Sequence, residues 1–236
     1  MADRLLELGN VTAGYGPTHV LRDLSLSVAP GERLAVIGRN GAGKTTLLNT
    51  IMGLTRLHGG HLRFGGRSLD RMAPHRRNGL GLGLVPQTRD IFPSLTVEEN
   101  LLSCLRGDAT LEEAYALFPR LKERRRNGGM QLSGGEQQML SIARTLMTRP
   151  EVLLLDEPLE GLAPVICEQL MAVFEELAKD GTRAVVLVEQ HAEAALAFAT
   201  RAILMANGTI VHEGPAGDLI ADKTLLHRHV GVGIDP

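Results

Sequence analysis

Short apolar runs punctuate the chain at residues 5–11, 24–28, 33–37, 80–85, 152–155, 184–188 and 202–205, and each is read as a β-strand. Two of these runs, Val152-Leu153-Leu154-Leu155 and Val185-Val186-Leu187-Val188, are apolar at every position. That pattern suits a parallel sheet covered on both faces, whereas the N-terminal runs alternate with polar residues as antiparallel strands with one wet face do. Helical periodicity separates several of the runs, so the pattern predicts an α/β fold. Between residues 91 and 149 the pattern becomes helical, with helices predicted over 97–105, 111–118 and 136–147 and no strand. This predicts one domain, 1–236, in which 1–90 and 150–236 build the core and 91–149 form an inserted helical subdomain. The tail after Arg228 is predicted to be loosely held.

Composition narrows the class of partner. The 236 residues are 44% hydrophobic and 22% charged, enough to bury a core, and the formal net charge is -2. That balance supplies no electrostatic attraction to nucleic acid or to an anionic membrane surface, so attachment to a membrane has to come from protein contacts. Cys104 and Cys167 lie far apart without metal-ligand spacing and are read as small apolar side chains in a reducing cytoplasm. No stretch reaches the ~18 apolar residues of a membrane span.

Two motifs carry chemistry. After the run 33–37 come Gly38, Arg39, Asn40, Gly41, Ala42, Gly43, Lys44 and Thr45, with Thr46 following in a predicted helix. This P-loop lets successive backbone N–H groups face phosphates at a helix N-terminus, with Lys44 reaching the β- and γ-phosphates and the Thr45 hydroxyl placed for Mg2+. The second motif is the strand 152–155 ending in Asp156 and Glu157, at the strand edge where ligands sit in open α/β sheets. Asp156 is read as holding Mg2+ through water, and Glu157 as the base that orients and deprotonates the attacking water.

A third stretch, Leu132-Ser133-Gly134-Gly135-Glu136-Gln137-Gln138, precedes a periodic helix through Met139, Ile142, Ala143 and Leu146. It resembles the signature motif of ABC ATPases, and the similarity covers nearly the whole chain, with the family's motifs in the family's order. The resemblance implies an ABC ATPase core with a parallel sheet, an antiparallel N-terminal β-subdomain and an inserted helical subdomain. It also implies that Ser133, Gly134 and Gly135 meet the γ-phosphate of ATP held by another subunit's P-loop. The Ser-Gly-Gly turn is physically suited to that, as an anion site at a helix N-terminus with no lysine of its own. By the same resemblance Tyr15 stacks on adenine, and Gln87 joins magnesium and water chemistry to the helical subdomain. His191 is the switch histidine that senses the γ-phosphate.

Further resemblance narrows the branch. Glu160-Gly161-Leu162-Ala163-Pro164 lacks the aspartate that many ABC ATPases carry at Ala163, yet it is similar to the D-loop of ATPases serving uptake of branched-chain and other hydrophobic amino acids. The stretches 91–101 and 117–121 resemble the same group, and Phe92-Pro93 looks like part of its coupling surface. Residues 38–41 and 89–93 also resemble ATPases of urea or short-chain amide uptake, and a soluble ABC ATPase outside transport is a further alternative. The importer reading implies a second ABC ATPase subunit, identical or homologous, two membrane permeases and, indirectly, an extracytoplasmic substrate-binding protein. It places the chain on the cytoplasmic side of the inner membrane, with no nucleic-acid partner.

Overall fold

The structure, a computed structural model, describes residues 5–179, 181–190, 192–221, 224 and 226. His191 and the tail after Arg228 lie outside the described residues. Six strands form the main sheet in the order β10-β9-β3-β8-β7-β6: β3 (Arg33–Ile37), β6 (Leu82–Val85), β7 (Val152–Asp156), β8 (Ala184–Glu189), β9 (Arg201–Ala206) and β10 (Thr209–Pro215). All pairings are parallel except β10 with β9. The fully apolar runs have a simple cause in this arrangement. Val152 and Leu154 enter one core and Leu153 and Leu155 the other, because the sheet is covered on both faces.

The alternating N-terminal runs leave that sheet altogether. β1 (Leu6–Tyr15), β2 (Thr18–Val28), β4 (Arg56–Phe64) and β5 (Arg67–Ser68) make a separate antiparallel sheet, order β2-β1-β4-β5. Its inner face supplies Leu6, Leu8, Leu24, Leu26, Leu62 and Phe64 to the core shared with α1 (Lys44–Met52). β4 shows little apolar pattern in Arg56-Leu57-His58-Gly59-Gly60-His61 and is a strand because β1 pairs with it from Leu6↔Phe64 to Gly14↔Arg56.

Between β6 and β7 the described residues hold helices and no strand, only an isolated bridge from Thr96 to Gly128. α2 (Pro74–Gly79) precedes β6; α3 (Val97–Leu102), α4 (Leu111–Leu117), α5 (Pro119–Glu123) and α6 (Gly134–Leu146) follow it. α3 stops three residues short of the pattern's limit, and α4 ends at Leu117, just ahead of Phe118-Pro119, where proline disfavours further helix. α6 starts earlier than predicted. Ser133 is its N-cap, accepting from Glu136 N–H at 3.3 Å while the Glu136 carboxylate accepts from Ser133 N–H at 2.8 Å. α7 (Pro164–Ala178), α8 (Ala192–Phe198) and α9 (Ala216–Ala221) complete the order. No helix among the described residues is long and apolar enough to cross a membrane.

Candidate active site

The parallel register brings three strand ends to one edge. Ile37 on β3 lies opposite Glu189 on β8, and Asp156 on β7 lies opposite Val188. The loop leaving β3 turns at once into α1, and two of its glycines are sterically required. A Cβ on Gly38 would sit 2.6 Å from the Met205 carbonyl oxygen, and Gly43, the N-cap of α1, has φ of 105°. Ala42 is buried and Gly208 N–H donates to its carbonyl at 2.9 Å, so the loop is braced from β9–β10. Arg39, Asn40 and Gly41 lie exposed on its outer side.

Lys44 is 4% exposed, and its ammonium donates to Gly38 O at 2.8 Å and pairs with Glu157 Oε1 at 3.0 Å. Beside it Thr45 Oγ1 donates to Asp156 Oδ1 at 3.1 Å, while Thr46 is buried in the next position of the helix. Glu157 stands in the left-handed region, φ 46°, with its N–H donating to Val188 O at 2.9 Å. This non-glycine outlier aims the carboxylate back over the P-loop at a cost of ~1–3 kcal/mol. Gln87, following β6, donates through Nε2 to Glu157 Oε2 at 3.2 Å and to Glu160 Oε2 at 2.5 Å. Tyr15 is half exposed, and its hydroxyl accepts from Asn49 Nδ2 of α1 at 2.9 Å.

Two buried carboxylates near the lysine have altered proton affinity. Burial pushes Asp156 up to about 6, with Glu157 adding to the rise and the Thr45 hydroxyl opposing it. Burial likewise pushes Glu189 up to about 7, offset in part by the Leu159 N–H that its carboxylate accepts at 3.2 Å. Glu160 and Glu189 were not singled out from the sequence. The available signal was a carboxylate ending the apolar run 184–188, since a buried acid at such a position has a purpose in the fold or the site.

Thr45, Asp156 and Gln87 meet around one groove, so the structure assembles every residue assigned to the cation. A hydroxyl and a carboxylate side by side suit a hard cation that takes its other ligands from phosphate and water. Ser133, Gly134 and Gly135 are placed elsewhere, at the start of α6, where Ser133 bonds Glu136 and the two glycines lie beside Arg89 and Ile166.

A covered parallel sheet, a glycine loop cradling a lysine and an Asp-Glu pair at the neighbouring strand end define a P-loop nucleoside triphosphatase. A second, separate glycine turn capped by serine sets the ABC ATPases apart within that class. The family model for the ABC transporter matches residues 21–160, and the chain belongs to that family. It is 40% identical to the high-affinity branched-chain amino acid transport ATP-binding protein BraG of Pseudomonas aeruginosa, over 96% of this chain and 100% of that one. A probable branched-chain amino acid transport ATP-binding protein, LivF of Archaeoglobus fulgidus, is 35% identical over 97% of this chain and 99% of its own. Among solved structures, a dimeric ATP-binding cassette in a post-hydrolysis state with ADP and phosphate superimposes with a TM-score of 0.79 at 26% identity, covering 89% of this chain and 98% of that one. The chain is therefore an ATP-binding ABC ATPase.

Proposed function

We propose that this chain is the ATP-hydrolysing subunit of an importer for branched-chain or other hydrophobic amino acids, acting as half of a two-subunit ATP sandwich. The observation that carries the hydrolytic reading is the Lys44 to Glu157 ion pair, buried at the same strand edge as Thr45 and Asp156. The β- and γ-phosphates of ATP compete with Glu157 for the Lys44 ammonium. Drawing Lys44 onto phosphate frees the Glu157 carboxylate to accept a proton from a water aligned with the γ-phosphorus. The water oxygen then bonds to that phosphorus as the bridging bond to the β-phosphate breaks, and ADP leaves. Gln87 holds Glu157 through its amide and so ties the base to the segment entering the helices. Thr45 and Asp156 would hold Mg2+, which neutralises phosphate charge when bound. Ser133, Gly134 and Gly135 complete the site of the partner subunit, and Tyr15 faces adenine.

The cargo rests on likeness to the two amino-acid transport proteins. Permease subunits supply the membrane attachment, with Phe92 on the docking side. The test is a pull-down with Glu157→Gln in magnesium and ATP from gently solubilised membranes. This variant is expected to trap ATP and retain two multi-spanning chains and an ATPase partner. Recovery of soluble assembly or nucleic-acid factors alone would overturn the transport reading.

A further inference from the structure

The signature turn carries no lysine of its own, and the tertiary structure brings an arginine beside it. Arg89 follows Gln87 by two residues and precedes Gly134 by a long stretch of chain, yet its guanidinium lies beside that glycine. A Cβ on Gly134 would sit 3.1 Å from Arg89 Nη1, 3.5 Å from Nη2 and 3.6 Å from Cζ. A Cβ there would push the guanidinium back by a few tenths of an ångström. The turn that delivers it is held on several sides. Arg89 N–H donates to Pro86 O at 3.0 Å, and the Thr88 hydroxyl donates to Asp90 Oδ1 at 2.8 Å. Arg144, from the far end of α6, donates through Nη1 to Asp90 O at 2.5 Å while stacking on the Phe92 ring 4.3 Å away. Arg89 and Asp90 both occupy the left-handed region, with φ of 67° and 42°. Two consecutive non-glycine residues in that region persist only where their surroundings over-determine them. Here α6 grips the turn at both of its own ends.

We infer that Arg89 is a positioning residue of the signature half-site, which backs Gly134 and adds a full positive charge to the anion-binding end of α6. The inference rests on the sandwich reading above and extends it. In the first turn of α6 the Ser133 hydroxyl accepts from Glu136 N–H, and Gln137 N–H donates to Ser133 O. The N–H groups of Gly134 and Gly135 remain for an external anion. Those two donors and the helix dipole amount to a partial charge, and a guanidinium alongside roughly triples it. No carboxylate among the described residues lies within ion-pair distance of Arg89, so its charge is not cancelled locally. The placement also links two sites. Gln87 bonds Glu157 at this chain's own hydrolytic centre, and Arg89 backs the turn that completes the partner's centre. A three-residue segment, 87–89, therefore touches both ATP sites of a sandwich, so movement at one is felt at the other.

The experiment is ATP-driven association of the purified Glu157→Gln protein, alone or with the ATPase that copurifies with it, followed by light scattering. Nucleotide affinity is measured in parallel at dilutions where the chain is monomeric. Adding Arg89→Met keeps the packing and removes the charge. The expected result is association weakened about tenfold or more, with monomer affinity and melting temperature unchanged, and Arg89→Lys restoring most of the loss. Association of Arg89→Met equal to that of Glu157→Gln alone overturns the role of Arg89 and leaves the sandwich intact. Failure of Glu157→Gln itself to associate with ATP overturns the sandwich and this inference with it.

Discussion

Arg77 offers a demanding test of how the P-loop helix is anchored. It is 4% exposed, with no carboxylate partner in ion-pair distance among the described residues, and it spends its guanidinium on carbonyls. Nη1 donates to Thr50 O at 2.9 Å and Ile51 O at 2.8 Å, Nε to Met72 O at 2.9 Å and Nη2 to Leu69 O at 2.7 Å. Two of these acceptors lie in the last turn of α1, so the charge both caps the helix and meets the negative end of its dipole. Burial lowers the Arg77 pKa from its ordinary value, opposed by Asp70, which shows the desolvation cost the fold bears to keep it. Arg77→Met preserves bulk and removes that cost. It also removes the donor to all four carbonyls, although Thr50 O and Leu69 O keep a backbone donor each, from Gly53 and Met72. Ile51 O and the part-buried Met72 O are left, and at ~1–3 kcal/mol per unsatisfied group the loss is about 2–6 kcal/mol. For a chain of this length that is a fall of roughly 4–24 °C in melting temperature, measured by calorimetry in the absence of nucleotide. A shift below about 2 °C would show that water or relaxation satisfies these carbonyls, and the anchoring argument would be wrong.

Two further predictions address coupling and pH. Asn100, fully buried, accepts from Phe92 N–H and donates to the carbonyls of Phe92, Leu95 and Thr96, so it moulds the loop that carries Phe92. Asn100→Leu is expected to leave basal ATP hydrolysis within about twofold while abolishing its stimulation by the permeases in reconstituted vesicles; equal loss of both activities would refute a role confined to the loop. Glu189, pushed up to about 7 by burial, binds a proton in the folded chain at pH values where the unfolded chain has released it. Stability is thus full below its ordinary range and is lost as pH rises through that range toward about 7. Glu189→Gln, whose amide oxygen still accepts the Leu159 N–H, is expected to raise the melting temperature at about pH 8 and to change it little at about pH 4. An equal shift at both pH values would rule out the ionisation argument.

The sequence alone determined the elements whose physics is local. Apolar runs long enough to be strands, a glycine loop before a lysine, and a serine three residues ahead of Glu136 each follow from neighbours in the chain, and β3, β7, β8 and the start of α1 lie where the pattern put them. The departures share one cause. β4 is polar and glycine-bearing, β10 is wet, and the N-terminal half of β2 is unpatterned. All three are strands because a partner supplies their hydrogen bonds, and a partner distant in sequence leaves no local mark. The same holds for the site. Lys44 and Glu157 were each legible, but the ion pair between them, the high proton affinity of buried Glu189 and the seat of Arg89 on Gly134 depend on strand register and on desolvation. Those quantities exist only once the sheet has closed and water has left, so only the tertiary structure decides them.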